Sequence, residues 1–260
     1  MRKRRVKIYG GRAGYNSVSF TGGKYQVISR FKNSKITTET RINREGNKIV
    51  SILSKIPFVR SFLMLFEVLI EFWKRFLLVT IVFFLVSFFL IERSNSIFVY
   101  TIPINGLEML SIFLVMAGLI IKISPLAKYH SGEHKAFSAY EKGLNLTLEN
   151  VRGQPRTHRK CGTNLVATFF ICFSILFIAF GDSVFVYLIA WMIGFEIWRN
   201  EPKIIWALIV VIGKAAQYLL FTSQPQEKHL IVAIEALTRL EEVEIANAIL
   251  KRRKVGSDSK

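Results

Sequence analysis

The sequence contains only two cysteines among its 260 residues, Cys161 and Cys172. Cys172 falls in the middle of an uncharged apolar run. Cys161 falls in a basic polar segment that we expect to face the cytoplasm, where thiols stay reduced. A fold held together by disulfides is therefore not predicted, and the Cys161 thiol is available for other chemistry.

The first 55 residues lack a long apolar run. The N-terminus is basic (MRKRR), but no apolar core follows it, so a cleavable signal peptide is not expected. The segments NSVSF, YQVISRF and SKITTETRI are rich in β-branched and aromatic residues and predict a small β-rich domain. The glycine-rich GGRAG, at 10–14, does not fit a Walker or dinucleotide fingerprint, and together with TGG and KNSK it is predicted to be a turn.

Acidic residues are scarce: 18 Asp and Glu stand against 36 Lys and Arg, for a net charge of +18. Lys and Arg concentrate in residues 1–75, 122–164 and 222–260. By the positive-inside rule we expect these three regions, and both termini, to lie in the cytoplasm. Such a surface attracts anionic lipids. A translocon, a ribosome or another membrane protein is a further candidate partner, and DNA is not expected to be one.

Charges are absent from five apolar runs, at 76–91, 109–121, 165–181, 183–195 and 204–213. With their flanks, the first four approach the roughly 20 residues that cross a bilayer. The fifth has only 10 residues before Lys214 and is predicted to be re-entrant or interfacial. The expected fold is a polytopic α-helical membrane protein with about four transmembrane helices and a small N-terminal β-rich cytoplasmic domain.

Three regions follow from this pattern. Residues 1–55 are expected to form the basic β-rich domain, and residues 56–221 the membrane domain, which includes a cytoplasmic loop at 122–164. Residues 222–260 are expected to form a cytoplasmic amphipathic helix with a basic tail.

The segment YHSGEHKAFSAYE, at 129–141, combines histidines and carboxylates next to an apolar run. On a helix, His130 and His134 lie one turn apart on one face, which is how helices commonly present two imidazoles to one metal ion. With Glu133 they match the pattern H-x-x-E-H, in which two histidines bind zinc and the glutamate is the base. Glu141 lies roughly 10 Å along the helix from His134, so a supporting role, a substrate contact or a second metal is expected for it.

A second pair lies downstream in RTHRKCGTN. His158 and Cys161 have the spacing H-x-x-C, and Pro155 and Gly162 predict a turn around them. Such a turn can hold one tetrahedral ion. His130, His134, His158 and Cys161 are thus predicted metal ligands on one side of the membrane, and thiolate with imidazole favours zinc, with iron as the second choice.

Six segments of the sequence resemble the YqhQ-like family of bacterial membrane proteins, a family of unknown function often described as metal-dependent enzymes. They are YGGRAGYNSVSF, IPFVRSF, YHSGEHKAFSAYE, LTLENVR, HRKCGTN and GKAAQYLLFTSQPQEKHLIVAIEAL, and they run in the family's order along nearly the whole chain. Family motifs close to Tyr-His-Gly-Ala-Glu-His-Lys and His-Pro-Arg-Cys-Gly-Thr fall on His130, Glu133, His134, Glu141, His158 and Cys161. This chain has FTSQP where the family usually has Thr-Thr-Arg-Glu-Pro, so a role for that arginine and glutamate is not implied here.

Two functions are compatible with these patterns. In the first, the protein is a zinc-dependent membrane hydrolase at the cytoplasmic face, acting on a peptide or lipid-linked substrate with Glu133 and Glu141 as candidate catalytic groups. In the second, it is a non-enzymatic membrane factor in which a structural metal stabilises the loop and the protein assists translocation, membrane-protein insertion or a partner complex. A metal with an open ligand position favours the first, and a closed four-ligand site favours the second.

Overall fold

A computed structural model describes residues 6–43, 48–93 and 105–257. The MRKRR segment, most of the predicted external connection at 92–104 and the last three residues lie outside the described residues. Contacts divide the described chain into two compact units. The first contains residues up to 45, 113–167 and the chain from 207 onward, and the second contains 46–112 and 168–206.

The N-terminal region forms a four-stranded antiparallel sheet in the order β1-β2-β3-β4, which confirms the predicted β-rich segment. The strands are β1 Gly10–Ala13, β2 Ser17–Thr21, β3 Tyr25–Lys32 and β4 Lys35–Ile42. The predicted KNSK turn is confirmed between β3 and β4, where Asn33 and Ser34 both have positive φ. Two such residues are typical of the hairpin turn whose twist matches that of the strands.

The prediction that GGRAG is a turn is wrong for its first four residues, which form β1. Gly10 to Ala13 pair with Thr21 to Val18 of β2, and the turn begins only at Gly14. The pairing partner decides the outcome here, because an alternating apolar strand such as β2 stabilises a neighbouring strand even where the local sequence favours a turn.

The described helices follow the apolar runs and the polar segments between them. They are α1 Lys48–Leu53, α2 Val59–Arg93, α3 Gly106–Ile123, α4 Pro125–Glu141, α5 Leu148–Arg152, α6 Thr163–Phe180, α7 Val184–Asn200, α8 Lys203–Ala216 and α9 Glu227–Ser257. A π-helical segment, Gln217–Phe221, extends α8.

Three of the described helices are long and apolar enough to cross a membrane: 106–123, 163–180 and 203–221. The predicted number of four is therefore not confirmed by length and composition. The segment predicted to be too short is among the three, because its helix continues past Lys214 to Phe221 and reaches 19 residues. Helix α7 has 17 residues, one fewer than the shortest of these three helices.

The core of the first unit lies where the sheet meets α4 and α9. Val18, Phe20 and Val27 of the sheet are fully buried against apolar side chains of both helices. The apolar face of α9 includes Leu237 and Leu240, which are also fully buried. This packing fixes α4, the helix that carries the H-x-x-E-H segment, between the sheet and α9.

In the second unit, α2 and α7 are joined by a buried polar contact. Glu196 of α7 accepts hydrogen bonds of 2.8 Å from both the backbone N–H of Phe58 and Nε of Arg60. The indole N–H of Trp191 donates to the carbonyl of Ser61 at 3.1 Å. These contacts connect the last turns of α7 to the beginning of α2.

Candidate metal centre

Helix α4 begins at Pro125 and buries nearly every residue from Tyr129 to Tyr140, polar residues included. Gly132 permits the close approach of α9, because a Cβ at this position would lie 2.7 Å from the carbonyl oxygen of His229. Polar side chains buried on a packed helix need partners, since an unpaired buried polar group costs about 1–3 kcal/mol. The partners of His130, Glu133 and His134 therefore define the site.

His130 and His134 present the same nitrogen toward one point. Nδ1 of His130 lies 3.0 Å from the carbonyl oxygen of Phe221, and Nδ1 of His134 lies 2.8 Å from that of Arg156. A carbonyl oxygen only accepts, so both Nδ1 atoms carry a proton, and the nitrogen that can bind a metal ion in each ring is Nε2. Hydrogen bonds of this kind orient the histidine ligands of metal sites.

Cys161 completes a group of three. Its sulfur lies 3.3 Å from Nε2 of His130, and the ligand atoms of His130, His134 and Cys161 all lie within 4.8 Å of one another. The backbone N–H and the hydroxyl of Thr163, at the start of α6, also contact the sulfur at 3.5 and 3.3 Å. The sulfur therefore faces polar hydrogens and the His130 ring.

The loop that carries Cys161 is held by two buried amides. Gln217 accepts from the backbone N–H of His158 at 2.7 Å and donates to the carbonyl of the same residue at 3.0 Å. Asn164 donates to the carbonyl of Arg159 at 2.6 Å and accepts from Gln217 at 3.3 Å. Both amides are fully buried, so the loop position is fixed by specific hydrogen bonds.

The segment that presents the Arg156 carbonyl is positioned by a buried lysine. Nζ of Lys135 donates to the carbonyl of Arg152 at 2.9 Å and also to that of Gln154. Burial, together with the positive charge of Arg156, lowers the pKa of Lys135. A lysine on the same helix as the two histidines thus orders the chain that orients His134.

His134 has one polar atom with no partner. Its Nε2 is buried and makes no hydrogen bond within the described part of the chain. Burial, and then the positive charge of His130, lower the pKa of His134, so the neutral ring with its lone pair is favoured. This is the state in which a histidine binds a metal ion.

The three donors are of types that bind metal ions, and one of their separations can be compared with the geometry of a zinc site. Two imidazole nitrogens and one thiol sulfur are preferred zinc ligands. Zinc bonds of about 2.0–2.1 Å to nitrogen and 2.3 Å to sulfur separate two tetrahedral ligands by about 3.5 Å. The observed 3.3 Å between Nε2 of His130 and the Cys161 sulfur is close to that spacing.

Glu133 lies beside this group. Its Oε2 is 3.6 Å from Nε2 of His134, and its side chain is buried. Burial raises the pKa of Glu133 to about 7, against the opposing effect of the positive charge of His130. Gly11 of β1 permits this position, because a Cβ there would overlap the Glu133 carboxylate and lie 2.8 Å from the ring of Phe20.

His158 and Glu141 lie next to the group of three and outside it. Nε2 of His158 is 2.9 Å from Oε2 of Glu141, and Nδ1 of His158 accepts from the backbone N–H of Lys160 at 3.2 Å. Nζ of Lys160 donates to Oε1 of Glu141 at 2.7 Å. Burial raises the pKa of Glu141, but the hydrogen bonds and charges of Lys160 and His158 bring it below its ordinary value.

One cavity of about 350 Å³ connects these groups. Its wall includes all three residues of the His130, His134 and Cys161 group, together with Glu133 and His158, and residues 9–13 on the β1 side. The wall also contains apolar side chains (Ile121, Leu126, Phe137 and Phe221) and part of the loop and the start of α6 (Lys160, Gly162 and Thr163). Ligand sites typically have this combination of an apolar lining and a few convergent polar groups.

Sequence patterns indicate the three donors but not the residues that hold them. Gln217 and Asn164 carry a weak signal, since each is a single amide within an apolar helix. The glycine at position 11 and the carbonyls of Phe221 and Arg156 carry none, because these groups are brought to the site by the tertiary fold.

Comparisons with known proteins agree with the resemblance noted above. Residues 55–243 match the family described as Protein of unknown function (DUF1385). The chain is 26% identical to the uncharacterized protein YqhQ of Bacillus subtilis (strain 168), over 89% of this chain and 92% of that protein. No solved structure matches the chain significantly.

Proposed function

The chain belongs to the DUF1385 family of unknown function, and because that description assigns no activity, we propose one from the site itself. We propose that the protein is a zinc-dependent membrane hydrolase that acts at the cytoplasmic face on a peptide or lipid-linked substrate. The observation that carries the proposal is the unpartnered Nε2 of His134, buried beside His130 and Cys161 on the wall of a cavity.

In this proposal His130, His134 and Cys161 hold the ion. Three protein ligands are typical of catalytic zinc sites, whereas structural sites usually have four. Both nitrogens of His158 are engaged, one by Glu141 and one by the N–H of Lys160, which supports a site of three. When bound, zinc supplies Lewis-acid chemistry, polarising a carbonyl or phosphoryl group and activating water.

Glu133 is proposed to be the general base. Its carboxylate is on the cavity wall, 3.6 Å from the His134 nitrogen, and Gly11 leaves it room there. A carboxylate in this position accepts a proton from a water molecule in the cavity and returns it to the leaving group. Glu133 is assigned this role because its carboxylate lies beside the three proposed zinc ligands and is not one of them.

Glu141 and His158 are proposed to position the loop rather than to react. Their hydrogen bond joins the end of α4 to the loop that carries Cys161, and Lys160 adds a second contact to the same carboxylate. Through these contacts the spacing between the histidines of α4 and the cysteine of the loop is maintained.

The cytoplasmic placement combines charge with chain connectivity. The sheet and α4 pack together, and α3 ends and α6 begins at the site. The carbonyl of Phe221, which ends the π-helical segment, binds His130, so this end of the chain lies on the same side. The adjoining 122–164 region has eight Lys and Arg residues, which favours the cytoplasm.

Contacts in the second unit support four crossings by α2, α3, α6 and α7. At the far end of α3 the N–H of Gly106 donates to Asp182, just before α7 begins, at 3.0 Å. Glu196, near the end of α7, binds Arg60 at the start of α2. Together with the Lys and Arg distribution, these contacts support the proposal that α7 returns to the cytoplasmic side and that α8, despite its length, is a re-entrant or interfacial helix.

The substitution Glu133→Gln tests the proposed function. Glutamine keeps the shape of the side chain but cannot act as a base, so we expect zinc content to be unchanged and the rate to fall by about 10²–10⁴-fold. Purified full-length protein in lipid nanodiscs is incubated with a random octapeptide mixture and, separately, with a bacterial lipid extract. Mass spectrometry identifies products that form with the wild type and not with the variant.

Two results would decide against the hydrolase. If wild type and Glu133→Gln bind zinc equally and give the same products from both mixtures, Glu133 is not the base. A structural metal in a protein that assists translocation or membrane-protein insertion then becomes the better proposal. If the wild type binds no zinc after incubation with it, the metal site itself is contradicted.

A further inference from the structure

We propose that the outer edge of β1 binds an extended peptide and presents it to the His130, His134 and Cys161 group. This inference rests on the proposed function and specifies its substrate class. It selects a peptide over a lipid-linked compound, because a strand edge offers alternating backbone donors and acceptors that only another polypeptide matches along its length.

The first argument is the position of β1 in the sheet. It is the first strand in the order β1-β2-β3-β4, so β2 pairs with one of its edges and no other described strand pairs with the opposite edge. Edge strands of this kind are templates for an added strand, and proteins usually cover or shorten them. Here the edge lies in a cavity, where only a ligand of limited width has access.

The second argument concerns which residues of β1 are hydrogen-bonded to β2 and which face away from it. The N–H of Gly14 donates to the carbonyl of Ser17 at 2.7 Å, and the register continues through Arg12 opposite Ser19. Residues of an antiparallel pair alternate between bonding to the partner strand and pointing away from it. Gly11 and Ala13 therefore direct their N–H and C=O groups away from β2.

The third argument is the shape of the cavity wall. Five consecutive residues, 9–13, line the same cavity as the three donor residues and Glu133. Side chains of a strand alternate between its two faces, so a surface that touches five in succession follows the edge of the strand. The N–H of Tyr9 donates to the carbonyl of Thr21 in β2, so the outward-facing groups are those of Gly11 and Ala13. These two residues lie about 7 Å apart at about 3.3 Å per residue, enough to pair with about three residues of a peptide.

The fourth argument is the lack of side chains along the edge. Positions 10 and 11 are both glycine, and a Cβ at position 10 would meet nothing within 4 Å. The space that a side chain at position 10 would occupy is open, so a second chain can approach the backbone there, whereas the corresponding space at position 11 is occupied by the Glu133 carboxylate. The same glycine that accommodates Glu133 thus belongs to the edge that would bind the peptide.

Residue-resolved hydrogen exchange tests the proposal directly. Zinc-loaded Glu133→Gln protein in nanodiscs is measured with and without the random octapeptide mixture, since this variant is expected to leave the peptides intact. Amide exchange at Gly11 and Ala13 should slow by about threefold to tenfold, as expected for one added hydrogen bond at each position. Exchange at Gly10 and Arg12, which face β2, should not change.

Two further measurements keep the test independent of any one variant. Ala13→Pro removes an outward N–H at an edge position that tolerates proline and should weaken peptide protection at Gly11, whereas Ala13→Val keeps the N–H and should not. The second measurement uses the Glu133→Gln protein and a series of octapeptides, each N-methylated at one position along the peptide. Methylation should weaken binding at every second position, where the peptide N–H would donate to β1.

Three outcomes would overturn the edge-binding proposal. In the first, octapeptides added to the zinc-loaded protein do not slow amide exchange at Gly11 and Ala13. In the second, amide exchange slows only in β4, the strand at the other edge of the sheet. The third is equal protection by vesicles of bacterial lipid alone. If alternate protection appears but zinc or Glu133-dependent products are absent, the proposed hydrolase function fails while peptide binding at the edge stands.

Discussion

At the scale of single residues, the site depends on which atom each donor leaves unbonded. The carbonyl oxygens of Phe221 and Arg156 accept hydrogen bonds from the Nδ1–H groups of His130 and His134, which leaves Nε2 as the ligand atom of each ring. If one of these carbonyl groups moved, the imidazole ring that it orients could rotate, and the Nε2 of that ring would no longer face the other donors. The metal site proposed here is thus as much a property of two backbone carbonyls as of the histidines.

Gly11→Ala gives a residue-scale prediction. The new Cβ would overlap the Glu133 carboxylate, so the carboxylate must move while the three donors stay in place. A shift of about 1 Å in a reacting group can cost on the order of 10²-fold in rate. We expect products that depend on Glu133 to fall by about that factor at unchanged zinc content.

Gly10→Ala is the matched control, because a Cβ at that position meets nothing within 4 Å. It introduces the same methyl group into the same strand without displacing Glu133, so it should leave zinc content at the wild-type value and lower activity much less than Gly11→Ala does. Equal activities of the two variants would show that the close approach of Gly11 to Glu133 has no functional role.

How far the sequence predicts the site is clearest from Cys161 and Gly11. Spacing on a helix brings His130 and His134 together without reference to the rest of the fold, and the structure brings Cys161 to them from 27 residues beyond His134. Gly11 contributes through contact with a helix more than 100 residues away, and no local pattern encodes such a contact. Local periodicity therefore predicts donors, and tertiary packing supplies their support.

At the scale of elements, the π-helical segment connects the membrane helix α8 to the site. Residues 217–221 depart from the α-helical repeat, and such segments are frequent at functional sites. Gln217, at its beginning, holds the His158 backbone, and Phe221, at its end, orients His130. One short irregular segment therefore positions both the loop and the helix that carry the proposed ligands.

Gln217→Met tests this role. Methionine fills a similar volume but leaves the buried backbone N–H of His158 without its partner, at a cost of about 1–3 kcal/mol. The His158 carbonyl loses one of its two hydrogen bonds and keeps the one from the Cys161 N–H at 3.4 Å. Supporting contacts of metal ligands are typically worth 10–100-fold in affinity, so zinc affinity should fall by about that factor. Competition with a chelator of known affinity measures it.

The control is Gln226→Met, the same chemical change at an exposed position just before α9. It should leave zinc affinity unchanged and alter stability by less than about 0.5 kcal/mol. If Gln217→Met binds zinc as tightly as this control, the loop does not need the amide to place Cys161.

At this scale, the extents of β1 and α8 could not be predicted from the local sequence. The strands β2, β3 and β4 follow from their β-branched and aromatic residues, whereas β1 is a strand only because β2 pairs with it. Helix α8 appears too short when counted to Lys214, yet that lysine lies within a helix that continues into the π-helical segment. In both cases a neighbour outside the local window determines the element.

At the scale of the whole molecule, the proposed topology has four crossings and an α8 that begins and ends in the cytoplasm. Cysteine labelling in intact cells distinguishes it from an alternative in which α8 crosses the membrane. Both native cysteines are buried, so introduced cysteines provide the signal. We expect Ser96→Cys to react with an impermeant reagent from outside, and Lys203→Cys and Val255→Cys to react only after permeabilisation.

Lys203→Cys is the informative position, because it lies between α7 and α8. Labelling there from outside would contradict the assignment of α7 as a crossing helix and would favour α8 in its place. External labelling of Val255→Cys would contradict the cytoplasmic C-terminus that the positive-inside rule predicts.

The central claim, that His130, His134 and Cys161 bind zinc at an open site, is tested most directly by X-ray absorption at the zinc edge of the purified full-length protein. We expect about one zinc per chain with one sulfur ligand, two imidazole ligands and at least one further light-atom ligand from solvent. Cys161→Ser should lose the sulfur signal, and Cys172→Ser, a control in the apolar part of α6, should keep it. A spectrum without sulfur, one with three imidazoles and a sulfur, or a protein without zinc would contradict the account.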